Sequence, residues 1–152
     1  VSGPVALAPP RGVTLVQVET ARQMLKACED ALPADVFISV AAVADWRPAR
    51  AATKKLKIKG AGSEAPSMEL AENPDILKTL SNKRKNRPRL VIGFAAETHD
   101  VMGGAENEVV LISHDDSEHW PRMGKDEVAR RLARRIASEL GHDGDGVRLA
   151  AE

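Results

Sequence analysis

Val36-Phe37-Ile38-Ser39-Val40-Ala41-Ala42-Val43-Ala44-Asp45-Trp46-Arg47-Pro48 begins as an apolar run and ends by delivering an acid into a loop. Its first five residues are β-branched or aromatic around one serine, without polar alternation, the pattern of a strand covered on both faces of an α/β sheet. The carboxyl ends of such strands are where open sheets bind ligands. Alanines at 41, 42 and 44 let a ligand approach the backbone, whose N–H and C=O groups can read its polar edges. Asp45 adds charge there. An aspartate just after a strand is also a common turn former, and both readings stand at this residue.

A lysine cluster follows, with Lys54, Lys55, Lys57 and Lys59. Such clusters are commonly solvated runs. In Lys55-Leu56-Lys57-Ile58-Lys59, however, an extended backbone would put three ammonium groups on one side and the two aliphatic residues on the other. The alternation predicts a half-buried strand with a cationic face. A carboxylate able to hold Mg²⁺ and a lysine row able to neutralise phosphates are what a nucleoside triphosphate site requires.

Upstream, Val13–Val18 reads as a strand, and Thr20 followed by Gln23 forms a capping box that opens a helix. Met24, Leu25, Cys28 and Leu32 make its inner face, and Pro33 ends it. With the Val36 strand this is a β-α-β unit, for which a right-handed crossover and parallel strands are expected.

Downstream, the turn-rich Gly60–Pro66 stretch precedes Met68-Glu69-Leu70, which reads as a short antiparallel return strand. The arm from Lys57 to Leu70 suits a dimer contact. Asn73-Pro74-Asp75 supplies an N-cap, a proline at the first helical position and an early acid, opening a helix from Ile76 to about Lys83. Leu90–Phe94 is the next strand, with Phe94 a core residue on burial tendencies alone. Too few residues separate it from the strand Glu108–Ile112 for a parallel crossover. His114, Asp115, Asp116 and His119 suit turn chemistry better than a metal. Lys125 opens a helix with Val128, Leu132, Ile136 and Leu140 on one face and Arg130, Arg131, Arg134 and Arg135 on its solvated flank. Gly141 stops it, and 142–152 reads as a tail.

The chain has 152 residues, a length that suits one domain with a real core. Lys plus Arg and Asp plus Glu are both 22, so no global field favours nucleic acid or an anionic membrane. Cys28 is the only cysteine, which excludes an intramolecular disulfide and any multi-cysteine metal site, and suits a reducing cytoplasm. We read it as an apolar filler. No stretch approaches the ~20 apolar residues of a membrane span, and no signal peptide is visible.

Ala41-Ala42-Val43-Ala44-Asp45-Trp46, Lys55-Leu56-Lys57, Asn73-Pro74-Asp75-Ile76 and Gly93-Phe94-Ala95-Ala96-Glu97-Thr98 stand in the order seen in phosphopantothenoylcysteine synthetases. The chain resembles that family from Val1 to about Leu140. The resemblance implies an α/β, three-layer Rossmann-like sandwich with a mostly parallel sheet and an antiparallel dimerisation arm. It implies a ligase that joins 4′-phosphopantothenate and cysteine using CTP and Mg²⁺, through an acyl-cytidylate, as a homodimer in the cytoplasm. Bacterial members are often fused to a flavin-dependent decarboxylase domain.

By resemblance, Lys55 carries the catalytic contact to the triphosphate, and Asp45, the acid beside the lysine row, is assigned the metal. Ala41, Ala42, Pro74, Asp75, Ile76, Leu77 and Phe94 complete the nucleotide site, with Phe94 beside the base. Residues 1–141 then form a partial domain. An amino-terminal part with a Gly-rich stretch, and a segment between Asp100 and Val101 bearing two further lysines, are expected to be missing. Two other readings remain: a Rossmann-type oxidoreductase using NAD(P) or flavin, although no G-x-G-x-x-G follows any strand, and a non-catalytic nucleotide-binding module.

Overall fold

A computed structural model of the chain describes residues 1–50, 67–94, 104–112 and 117–141. The lysine row, the Glu97-Thr98 motif, the junction at Asp100, His114 to Asp116 and the tail from His142 lie outside the described residues, whereas His119 lies in a strand opposite Val110. The chain divides into two compact units, Val1–Gly93 and Phe94–Glu152.

The first unit holds α1 (Ala21–Asp30), β1 (Val36–Ser39), β2 (Trp46–Pro48), β3 (Leu70–Glu72), α2 (Ile76–Ser81) and β4 (Leu90–Gly93). The capping box forms as expected: Gln23 N donates to Thr20 Oγ1 at 3.2 Å, and Thr20 N donates to Gln23 Oε1 at 3.0 Å. Met24, Leu25 and Cys28 lie half-buried on one side of α1. Lys83 donates to Glu29 at 2.7 Å and ties α1 to the segment after α2.

β1 pairs in parallel with β4, from Val36 opposite Leu90 to Ser39 opposite Gly93. This differs from the expected partner, because Val13–Val18 forms no strand. Gln17 makes one isolated parallel bridge to Ser2. The ladder stops there because Gly3 and then Pro4 follow, and proline has no N–H to donate. Val13, Leu15 and Val16 remain exposed.

β2 pairs antiparallel with β3, Trp46 opposite Glu72 and Pro48 opposite Leu70. Of the expected arm, Leu70 lies in this ribbon and Met68 just before it. Ile76 and Leu80 of α2 are buried, and Pro88 is fully enclosed. Arg87 closes this end of the unit, Nε donating to the Ser81 carbonyl at 2.7 Å.

The second unit holds β5 (Glu106–Ile112), β6 (Ser117–Gly124) and α3 (Lys125–Glu139). β5 alternates, with Asn107, Val109 and Leu111 less exposed than their neighbours. Val109 stands opposite Trp120, which is buried, and the Arg131 guanidinium lies 6.0 Å from the Trp120 ring centre. Asp126 and Glu127 occupy the first turn of α3, the favourable end of its dipole for acids. Gly141 takes φ of 75° just past the helix, as a glycine stop should.

Among the described residues the sheets are two-stranded, one parallel and two antiparallel. The chain is α/β, and among the described residues the three pairs do not join into the one mostly parallel sheet expected. No helix among the described residues is long and apolar enough to cross a membrane.

Candidate functional site

β1 ends at Ser39, and the chain runs through the small residues 41–44 to Asp45 before returning as β2. Ala41, Ala42, Ala44 and Asp45 are all exposed, so the backbone of this loop is open to a ligand. The register that sets Trp46 opposite Glu72 brings Asp45 to Asn73. Asn73 N donates to the Asp45 carbonyl at 2.7 Å, and Asn73 Nδ2 donates to the Ala44 carbonyl at 2.8 Å. The Arg47 guanidinium donates to the Glu72 carbonyl, holding the same ribbon together. Two of the four sequence motifs, the alanine loop and the Asn73-Pro74-Asp75 start, therefore meet within the first unit.

The helix begins at Ile76 as expected, but its cap sits two residues later than expected. Asp75, not Asn73, is the N-cap, accepting from Lys78 N at 2.8 Å, and Pro74 precedes the helix. Asn73 cannot cap because its amide is committed to the loop. α2 ends at Ser81, short of Lys83, where Asn82 Nδ2 donates back to the Lys78 carbonyl at 2.8 Å.

A cleft of about 370 Å³ opens beside the loop, lined among others by Gly3, Thr20, Arg22, Ala42, Trp46 and Asn73. Of the expected nucleotide residues that are described, only Ala42 lines it. Ala41 and Asp45 stand in the same loop, and Pro74 and Asp75 directly follow Asn73. Ile76 is 7% exposed, so it can offer a ligand little but backbone. Leu77 packs over Gly93. Phe94 opens the second unit and is exposed, while Lys55 lies outside the described residues.

Sequence reasoning missed Arg22 and Arg47, which are among the residues that line the cleft. Their only signal is adjacency: Arg22 stands two residues after the Thr20 cap, and Arg47 two after Asp45. Asp45 is an exposed single carboxylate, and among the described residues no group of three His, Cys, Asp or Glu could hold a metal. That donor set fits an ion that takes most of its ligands from phosphates and water, as Mg²⁺ does, and not a protein-caged metal. Burial pushes the Cys28 thiol above its ordinary pKa, which disfavours the nucleophilic thiolate and agrees with a filler role.

The family model described as DNA/pantothenate metabolism flavoprotein C-terminal domain matches residues 1–107. The coenzyme A biosynthesis bifunctional protein CoaBC of Vibrio vulnificus (strain YJ016) is 46% identical over 102 residues, covering 66% of this chain and 25% of that protein. The protein of the same name from Mycobacterium tuberculosis (strain ATCC 25618 / H37Rv) is 42% identical over 102 residues, covering 64% and 24%. The chain thus spans about a quarter of the length of these curated relatives. The crystal structure of the C-terminal domain of a coenzyme A biosynthesis bifunctional protein CoaBC superposes with a TM-score of 0.70 at 35% identity, over 93% of this chain and 73% of that one. These matches correct the family assignment expected from the motifs. The family model that covers the chain is the flavoprotein C-terminal domain, in place of phosphopantothenoylcysteine synthetase.

Proposed function

Because the chain belongs to the DNA/pantothenate metabolism flavoprotein C-terminal domain family, we propose that it serves coenzyme A biosynthesis as the nucleotide-using part of a larger enzyme. The reaction is a ligation. A carboxylate oxygen of 4′-phosphopantothenate attacks the α-phosphorus of CTP, the bond to the β-phosphate breaks, and pyrophosphate leaves. The amine of cysteine then attacks the acyl carbon, releasing CMP. The relatives' names, which place them in coenzyme A biosynthesis, support the pathway.

The observation that carries the nucleotide site is the pair of Asn73 bonds that joins the alanine loop to the start of α2 at one cleft. Loop backbone at Ala41 and Ala42 reads the base, with Pro74 shaping its surroundings. Asp45 faces the phosphates and holds Mg²⁺ directly or through water. When bound, Mg²⁺ neutralises charge on the phosphates. Lys55 neutralises the triphosphate and stabilises charge that develops at the α-phosphorus. The protein acts in the cytoplasm as a homodimer, beside a flavin-dependent decarboxylase domain.

The test is pyrophosphate release by the full protein. Lys55→Gln should slow it on the order of a hundredfold, the cost of a lost charged phosphate contact of a few kcal/mol. Asp45→Asn should raise the Mg²⁺ needed for half-maximal rate. If both variants match the parent in rate and metal dependence, neither residue belongs to the site. The family description names a flavoprotein and no ligase, which leaves a second reading, a module that binds nucleotide beside a flavoprotein without turning it over. CTP binding without pyrophosphate release from the intact protein would select it.

A further inference from the structure

We propose that Asn73 is a positioning residue, whose side-chain amide sets the conformation of the 41–45 loop and through it the grip of that loop on the nucleotide. The inference rests on the nucleotide site proposed above and assigns part of its affinity to a residue outside the contacts named there.

The two bonds made by Asn73 differ in kind. The bond from its backbone N–H to the Asp45 carbonyl continues the β2–β3 ladder, and any residue but proline could make it. The bond from Nδ2 to the Ala44 carbonyl depends on the side chain. Ala44 lies beyond the ladder, and among the described residues the amide of Asn73 supplies this carbonyl with its donor.

The placement is transmitted. Pro74 follows with a fixed φ and no N–H, and Asp75 caps α2 through Lys78 N at 2.8 Å. The loop therefore moves with the helix start, and α2 is anchored by buried Ile76 and Leu80. Asn73 also lines the cleft beside Ala42, so a shift of the loop reshapes the cavity wall directly. The Arg47 bond to Glu72 cannot do this work, because it braces the ribbon and not the loop ahead of it.

Asn73→Asp keeps the shape, removes the donor and turns a carboxylate toward the Ala44 carbonyl. The matched control is Asn82→Asp, which strips an equal amide-to-carbonyl bond, Asn82 Nδ2 to Lys78 O at 2.8 Å, from the far end of α2. Two readouts on the full protein decide the matter: amide hydrogen exchange over residues 42–47, and CTP affinity by calorimetry.

Asn73→Asp should speed exchange in that segment about tenfold and weaken CTP about tenfold, the scale of one hydrogen bond. Asn82→Asp should leave both alone. Unchanged exchange, faster exchange with unchanged CTP affinity, or an equal loss in the Asn82 variant would each overturn the proposal. If the aspartate variant does not fold, Asn73→Ala carries the same comparison. A parent that binds CTP but releases no pyrophosphate sinks the ligase reading and leaves Asn73 to be judged on affinity, whereas a parent that binds no CTP sinks both.

Discussion

Leu77 fills the space in front of Gly93 that a Cβ on that residue would need. The close approach seats α2 on β4, and it explains why a glycine ends this strand although its backbone calls for no unusual φ. Gly93→Ala should destabilise the full protein by about 1–2 kcal/mol, since Leu77 must rotate to relieve the overlap. In a Leu77→Ala background the same change should cost almost nothing, by denaturant titration. Equal costs in both backgrounds would place the strain elsewhere.

The Cys28 thiol is held above its ordinary pKa by burial. The folded chain thus binds the proton more tightly than the unfolded one. The stabilisation is present below the unfolded thiol value of about 8.5 and is lost as pH rises through the raised folded value. Cys28→Ala should flatten the alkaline limb of a stability-against-pH curve, and maleimide should label the native chain more slowly than the denatured chain at pH 8. Equal labelling rates would contradict the burial.

Phe94 is proposed to take part in base selection. Phe94→Ala should weaken CTP and relax the exclusion of ATP, a change in the difference between two affinities. Calorimetry with both nucleotides reads it directly. If both bind as in the parent, Phe94 has no part in base selection.

Trp46, Met68 and Leu70 are 54%, 60% and 53% exposed on or beside the β2–β3 ribbon, and an isolated two-stranded ribbon is marginal in water. In the proposed homodimer a second copy covers them. Met68→Asp with Leu70→Asp should give monomers by sedimentation and lose activity in parallel, because charge is set at a buried contact. A dimer of parental strength would move the interface elsewhere.

What is legible in the sequence is what depends on neighbours along the chain. Thr20 and Gln23 announce α1 because both halves of the capping box lie within one turn, and the apolar spacing from Val128 to Leu140 announces α3 in the same way. Val13–Val18 misleads, since strand propensity says nothing of whether a partner can donate, and Pro4 withholds the partner here. β6 is hidden by Pro121 and by charged residues at 118 and 122, tolerable in a strand of a two-stranded sheet with open edges. Asn73 is the instructive case. Its composition suits a cap, and only the β2–β3 register, which spans more than twenty residues of chain, reveals that its amide serves the loop instead.

The parallel pair of β1 and β4 joins residue 36 to residue 90, whereas the hairpin of β5 and β6 joins residue 112 to residue 117. Closing the longer loop costs about 2 kcal/mol more in chain entropy than closing the shorter one. On the folding pathway the hairpin therefore zips early, within microseconds, while the strand that presents the alanine loop waits for the last long-range search. During synthesis, residues 36–48 leave the ribosome well before β4 exists to pair with them. The segment that carries the candidate site is thus the one whose apolar strand stays unpaired longest in a newborn chain.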